Sequence, residues 1–484
     1  MARPFIEVLG REERKIIHEA ALKVLNEVGV KVPDANVRKE LKDRGALIEG
    51  DIVKMPPDLV RWALNKAPKR IEIFNRDGKL VAVLSEDNIY FNPGSAATKI
   101  LDYGEGKIRD ATLIDLLKFA IITDSLRNIA FQSTALVPSD APIMIRDRIR
   151  LYPILLVSSK PIVTGAFTED GIPAMVRILD AVCDIEKKPI AIFDVCPSPP
   201  LKWSKITLKN LVDCAKIGVP AEIIPMPQIG ATAPVTIAGA LVQHHAEALS
   251  GITIAQVIRE GAPVIYGGSP CLLDMRYGTP LIASPESILV SLAYVELAKE
   301  FGLPTHTYMC LADSKRIDYQ AGVESMMGAI LAAMRRINVI SGPGMLGFEN
   351  VQSMEKLVLD EEVCGYALRI LRGFNIGAEE LAIEVIREVG IGGHFLGHRH
   401  TLRNYRRQLY MPSLFDRTPL SRTSAKRGEL LRRAHEYCEK VIRERRCSML
   451  DNERLRELEK TLVEVCGSDV KHFIKEVHKE LRIS

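Results

Sequence analysis

From residue 88 onward, short β-branched runs alternate strictly with amphipathic helical patterns, and this rhythm constrains the fold more than any other feature of the 484-residue chain. The strand-like runs are 88–92, 129–136, 161–167, 189–195, 221–226, 263–267, 305–309 and 339–342. The helical patterns that follow them are 113–125, 143–157, 171–183, 204–217, 235–260, 286–301, 320–336 and 353–371. Alternation of strand and crossover helix dictates a parallel sheet, because a parallel neighbour is reached only through a long return connection. Eight such units are the number that closes a barrel. An α/β fold of the (β/α)8 TIM barrel kind is therefore expected over residues 88–375, with the doubly wound open sheet as the alternative.

Several runs are entered through X-Pro steps, at Pro161, Pro189, Pro220, Pro263 and Pro304. Proline at a strand start removes no important ladder bond and forces the preceding residue to be extended. Those turns mark the bottom of the barrel, so the longer loops at the opposite ends are where chemistry is sought. Before the barrel, helical patterns at 11–30, 37–43 and 57–67 with strand-like pieces at 48–54 and 71–75 make an N-terminal α+β cap, residues 1–87. After it, residues 376–484 form a C-terminal helical extension packing on the barrel. Within that extension lie a helix at 379–389, a tyrosine-rich polar segment at 397–417 expected to wrap back over the barrel, and helices at 426–445, 452–465 and 469–481.

Composition narrows the function classes. No apolar run approaches the roughly 20 residues of a membrane helix, and the first residues contain no apolar signal core, so a cytoplasmic protein is expected. A net charge of +4 is nearly balanced and argues for no particular affinity for nucleic acid, so no nucleic-acid partner is expected. Nine cysteines without C-x-x-C pairs point to reduced thiols.

Gly342-Pro-Gly344-Met-Leu-Gly347 spells G-x-G-x-x-G, but it comes late in the chain and the helix after it is delayed, so a chance match is expected rather than a dinucleotide site. His394, His398 and His400 have no local carboxylate or cysteine, and no bound metal is expected there. Adjacent His244 and His245 point to different faces of one helix, which predicts one packed and one solvated ring. Lys99, Lys202 and Lys315 are candidates for Schiff-base chemistry by location alone. The loops do concentrate Asp274, Asp313, Asp318, Glu349, Gln228, Gln320 and Asn350 beside Tyr266, Tyr277, Tyr308, Tyr319 and Phe348. Such a set suits a small cation held by aromatic faces and a compensating carboxylate; solvated loops are the alternative.

The chain resembles the trimethylamine methyltransferase (MttB) family along nearly its whole length. The resemblance is carried by Val28-Gly-Val-Lys-Val32 within residues 17–67, by Leu101-Asp-Tyr103 to Arg109, and by Pro234-Val-Thr-Ile-Ala-Gly-Ala-Leu-Val242 with Glu247. It continues through Asp318-Tyr-Gln-Ala-Gly-Val-Glu324, Gly344-Met-Leu346, and Gly392-Gly393 to His400-Thr-Leu402. The resemblance implies an eight-stranded barrel that moves a methyl group from an amine to the cobalt of a corrinoid (cobalamin) carried by a separate small protein, with no metal bound by the chain itself. A homo-oligomer is the expected assembly. The family's founding type carries pyrrolysine at or near the position of Asn350, where an ordinary residue stands here, and this implies the branch that uses quaternary amines such as glycine betaine. By loop position, Glu349, Asn350 and Gln320 are the expected catalytic residues. Asp274, Tyr277, Phe348 and Arg276 are the expected substrate contacts, Arg276 for a substrate carboxylate. A barrel that binds a methylated amine without turnover is the second function class, and a lysine-dependent lyase the third.

Overall fold

The computed structural model describes residues 2–419, 421, 430–445 and 447–483. Eight parallel strand segments appear in the expected order. Five form one sheet, in which Val264–Tyr266, Ala221–Ile223, Ala191–Val195, Ile162–Gly165 and Gln132–Ser133 are neighbours in that order. His306–Tyr308, Val339–Ser341 and Tyr90–Asn92 form a second sheet. Parallel bridges Phe91↔Ile129 and Tyr266↔Thr305 join the two sheets at both junctions. Helices cover the outer faces, so the strands are buried on both sides and read as continuous apolar runs rather than alternating ones.

The N-terminal segment does more than flank the strands. Ile71–Phe74 pairs antiparallel with Leu80–Leu84, a strand the sequence reading omits. The hairpin's Ile71, Ile73, Ala82 and Leu84 share one apolar cluster with Phe131, Val163, Ile192, Ile265 and Val339 from the strands. The expected strand at 48–54 is a hairpin instead, Leu47–Glu49 against Ile52–Lys54, because Gly50 takes φ 66° and reverses the chain.

The expected helix at 143–157 is also broken, into a 3-10 turn Ile143–Ile145 and helices Arg146–Ile149 and Leu151–Val157. Pro153 has no N–H for the Ile149 carbonyl, which favours a fresh helical start at that point. Ala382, at φ 50°, divides 379–389 into Ala378–Leu381 and Ile383–Val389.

The polar segment contains helix Arg399–Gln408 and then lies against the outer helix Met354–Arg372. There the Glu362 carboxylate accepts from Tyr410 Oη and from the amides of Ser413 and Leu414. Of the expected helix at 426–445, residues 426–429 lie outside the described residues, and the helix runs Leu430–Glu444. With Asn452–Cys466 and Val470–Leu481 it packs on the outer helices Leu113–Ser125, Gly171–Asp180 and Met354–Arg372. Among the described residues no helix is long and apolar enough to cross a membrane.

Candidate active site

The C-terminal ends of the strands converge on a cavity of about 320 Å³. Ser95 enters it from the loop after Tyr90–Asn92, Phe167 from the loop after Ile162–Gly165, Asp194 and Cys196 from the end of Ala191–Val195, Met226 from beyond Ala221–Ile223, and Tyr308 from the end of His306–Tyr308. Glu349 closes it from the loop beyond Val339–Ser341.

That last loop owes its shape to glycine. Gly342, Gly344 and Gly347 have φ of 130°, 90° and 56°, values that side chains with a Cβ rarely adopt. The amide of Gly344 donates to Asp360 Oδ2 at 2.7 Å, and that oxygen also accepts from Lys356 Nζ at 2.6 Å. The glycine-rich turn therefore binds a carboxylate of the protein itself, and its match to a dinucleotide fingerprint is incidental. Phe348 and Glu349 both have φ of 62°, a left-handed pair that turns the Glu349 side chain back into the cavity. Its carboxylate accepts from Ser269 Oγ at 2.7 Å. Burial, helped by the nearby carboxylates Asp313 and Asp194, pushes the Glu349 carboxyl up to about 8.

Deeper in the cavity, Asp194 Oδ2 accepts from Ser95 Oγ at 2.9 Å, and Ser95 in turn meets Tyr308 Oη at 2.9 Å. Asp194 and Glu222 are register partners on adjacent parallel strands. Burial raises both carboxyls, and the charge of Asp194 raises Glu222 further, so the pair retains a proton on Glu222. Beside Glu222, His306 is fully buried, 2.8 Å from Ser341 Oγ, and desolvation pulls its imidazole down to about 3, which keeps it neutral. Arg150 stacks against Phe167, 4.5 Å from the ring centre, and donates to the carbonyls of Thr134 and Gly165. No lysine, arginine or histidine lines the cavity among the described residues.

Of the residues expected from the sequence, Glu349 lies in the cavity wall. Phe348, its neighbour, is half-buried with Lys315 Nζ 3.9 Å over its ring. Asn350 is exposed, its Oδ1 accepting from Thr98 Oγ1 at 2.6 Å. Gln320 is exposed on helix Tyr319–Met334, where it donates to Glu324. Asp274, Arg276 and Tyr277 sit together on the hairpin Cys271–Asp274 with Thr279–Leu281, outside the cavity. Asp274 is bound by Arg276 at 2.6 Å and by its amide, which holds the carboxyl down to about 2. Tyr277 is 77% exposed.

The two-faced arrangement expected for His244 and His245 is corrected: both are buried, because helix Arg11–Glu27 covers the outer side of helix Ile237–Ile258. His245 bridges Tyr266 Oη and His18, while His244 stacks on Tyr294. His398 caps helix Arg399–Gln408 and contacts Glu388, and no group of three or more possible metal ligands occurs among the described residues. Sequence reasoning missed Asp194 and Glu222. Their signal was present: each is a lone carboxylate inside an apolar strand, in Ala191-Ile-Phe-Asp-Val195 and Ala221-Glu-Ile223.

Comparison with known proteins gives the chain's relatives. Residues 1–464 match the family model described as trimethylamine methyltransferase (MTTB). The chain is 32% identical over 445 residues to a glycine betaine methyltransferase of Desulfitobacterium hafniense (strain Y51), covering 91% of this chain and 93% of that relative. It is 32% identical over 476 residues to the trimethylamine methyltransferase MttB of Methanosarcina barkeri (strain Fusaro / DSM 804), covering 94% of each. Among solved structures, the monomethylamine methyltransferase MtmB of Methanosarcina barkeri superposes with a TM-score of 0.54 at 11% identity, covering 96% of this chain and 88% of that one, a likeness of fold.

Proposed function

Because the chain belongs to the trimethylamine methyltransferase (MTTB) family and is thus a methyltransferase, we propose that it moves a methyl group from a quaternary methylamine to the cobalt(I) of a corrinoid carried by a separate small protein. In the same proposal the two bridged parallel sheets act as one eight-stranded (β/α)8 barrel, with residues 1–87 as its cap and 376–484 as its helical extension. The observation that carries the proposal is the cavity at the strand ends, which combines the carboxyls of Glu349 and Asp194 with the rings of Phe167 and Tyr308 and has no cationic lining residue among the described residues. A permanent cation of modest size is what such a wall stabilises, through charge and through aromatic faces.

A quaternary nitrogen leaves as a neutral amine, so methyl transfer from it needs no proton donor. Glu349 and Asp194 accordingly serve to hold the ammonium, and Phe167 and Tyr308 to orient it with one methyl toward the mouth, a positioning contribution to rate. The corrinoid, when bound, supplies the cobalt nucleophile. A cavity of about 320 Å³ takes a small amine rather than a macrocycle, in keeping with a corrinoid held on another protein. The ordinary residue Asn350, fixed by Thr98, leaves the loop without the imine chemistry of pyrrolysine, which supports a quaternary over a tertiary amine. Asp274, Arg276 and Tyr277 belong in this proposal to the rim. The homo-oligomer is retained as well: helices Ala378–Leu381 and Ile383–Val389 bury no side chain, and Ile383, Ile386, Ile391 and Leu396 near them are exposed.

The test is spectroscopic. A corrinoid protein reduced to Co(I) and mixed with this enzyme should give the methyl-Co(III) spectrum with a quaternary amine and not with trimethylamine. The reverse preference overturns the proposal, and binding of the amine without any methyl transfer establishes a binding protein instead.

A further inference from the structure

We propose that the substituent completing the quaternary ammonium carries no carboxylate, so that the ligand is a net cation, an alkyl or hydroxyalkyl trimethylammonium rather than a betaine. The inference rests on the proposed function of the same cavity and concerns which ligands that cavity admits.

A carboxylate entering a pocket needs hydrogen-bond donors or a cation, and with Glu349 ionised the cavity's hydroxyl and amide groups are already paired, which leaves only the weak thiol donor of Cys196. Ser95 Oγ sits between Asp194 and Tyr308, so both hydroxyls are directed at each other and at Asp194. Thr207 Oγ1 pairs with Ser204 Oγ at 2.9 Å, and Asn210 Nδ2 donates to the Ala166 carbonyl at 3.1 Å. Arg150 lies behind the ring of Phe167, and its nitrogens reach the carbonyls of Thr134, Gly165 and Asp147. Arg276, the residue suited by type to a carboxylate, is paired with Asp274 outside the cavity. Acceptors, by contrast, are in surplus. Asn210 Oδ1 is buried in the cavity wall without a hydrogen-bond partner, at 2% exposure, and the Glu349 carboxylate, once ionised, has only Ser269 as a donor. A second carboxylate brought in on a ligand would face like charge and unpaired acceptors, an unfavourable environment that discriminates strongly between otherwise similar ligands.

Glu349 makes the distinction measurable. The groups facing it are Asp194, Asp313, Cys196, Cys271, Tyr294 and Tyr308, with Ser269 as hydrogen-bond donor and Lys315 over the neighbouring Phe348 ring. A net cation favours the charged carboxylate and releases its proton, so its affinity rises with pH until Glu349 is ionised, near 8. A betaine carboxylate favours the protonated form, so its affinity moves in the opposite direction.

Calorimetric titration of the full-length protein without corrinoid tests this with choline, tetramethylammonium, glycine betaine and 3,3-dimethyl-1-butanol, the neutral carbon isostere of choline. The expected result is that choline and tetramethylammonium bind at least about tenfold more tightly than glycine betaine at about pH 9, with the neutral alcohol weakest. Choline affinity should climb up to about tenfold per pH unit below 8, and Glu349→Gln should flatten that climb. Glycine betaine binding as tightly as choline, the neutral alcohol matching choline, or no cation binding at all overturns the inference. If the cations bind as expected but yield no methyl group to a Co(I) corrinoid protein, the methyl-transfer reading fails and the ligand class stands. If glycine betaine binds best and is demethylated, the reverse holds.

Discussion

At the scale of single residues, Glu349 is the side chain on which most depends. Its carboxyl is raised to about 8 from an ordinary value of 4.5, so between those values the folded protein binds more protons than the unfolded chain. Stability contributed at this residue therefore falls as pH rises through that window. Glutamine imitates the protonated form. Glu349→Gln should leave the melting temperature unchanged at about pH 4, below that window, and raise it at about pH 9, above it, while binding of a quaternary ammonium at the higher pH weakens by about ten- to a hundredfold, or about 1.4–2.8 kcal/mol. Thermal melts and calorimetry at the two pH values check both halves. Unchanged binding in the variant would remove Glu349 from the site. Lys356, on the helix that follows the loop, donates to Asp360 and Ser325 and not to Glu349.

At the scale of elements, the glycine loop and the strand that feeds it hold Glu349 in place. A methyl group added at Gly344 would lie 2.6 Å from Gln352 Oε1, and the φ of 90° there is strained for any residue with a Cβ. Gly344→Ala should cost on the order of 2 kcal/mol of stability and loosen amine binding along with it, because the Gly344–Asp360 bond anchors the turn that carries Phe348 and Glu349. Denaturant unfolding and ligand titration of the variant check this; a shift in stability with binding intact would separate the turn from the site. The strand and helix alternation was legible in the sequence because strands buried on both faces are written as β-branched runs between proline and glycine turns. The hairpin Cys271–Asp274 with Thr279–Leu281, and the small sheet joining Lys99–Leu101 and Ile108–Asp110 to Met345–Leu346 and Val351–Gln352, were not legible. Strands of two to four residues are too short to show a period of two. That accounts for the uneven placement of the expected residues: Glu349 lies in the cavity wall, at the end its loop position suggests, whereas Asp274 and Arg276 are paired with each other outside it by a turn that has no signature in the sequence.

At the scale of the whole molecule, the cap, the strands and the C-terminal helices share one core. Leu25 and Val60 of the cap, Phe193 and Tyr266 of the strands, and Leu458 and Phe473 of the last helices belong to a single apolar cluster. Three segments that bury their apolar faces on one another have no separate cores to retain when one of them opens, so thermal unfolding should be a single cooperative transition despite the length of the chain. Ile73 tests this. It is fully buried in the hairpin of the cap, in the cluster that contains Val163, Ile192 and Ile265 from three strands. Ile73→Ala removes methyl groups from a position closed on all sides and leaves a cavity the strands resist filling, a loss of about 2–5 kcal/mol. If the cap is an integral wall of the core, calorimetry should show that one transition moved to lower temperature as a whole. A split trace, with a small early transition displaced and the main one unmoved, would show that the N-terminal segment unfolds independently of the strands.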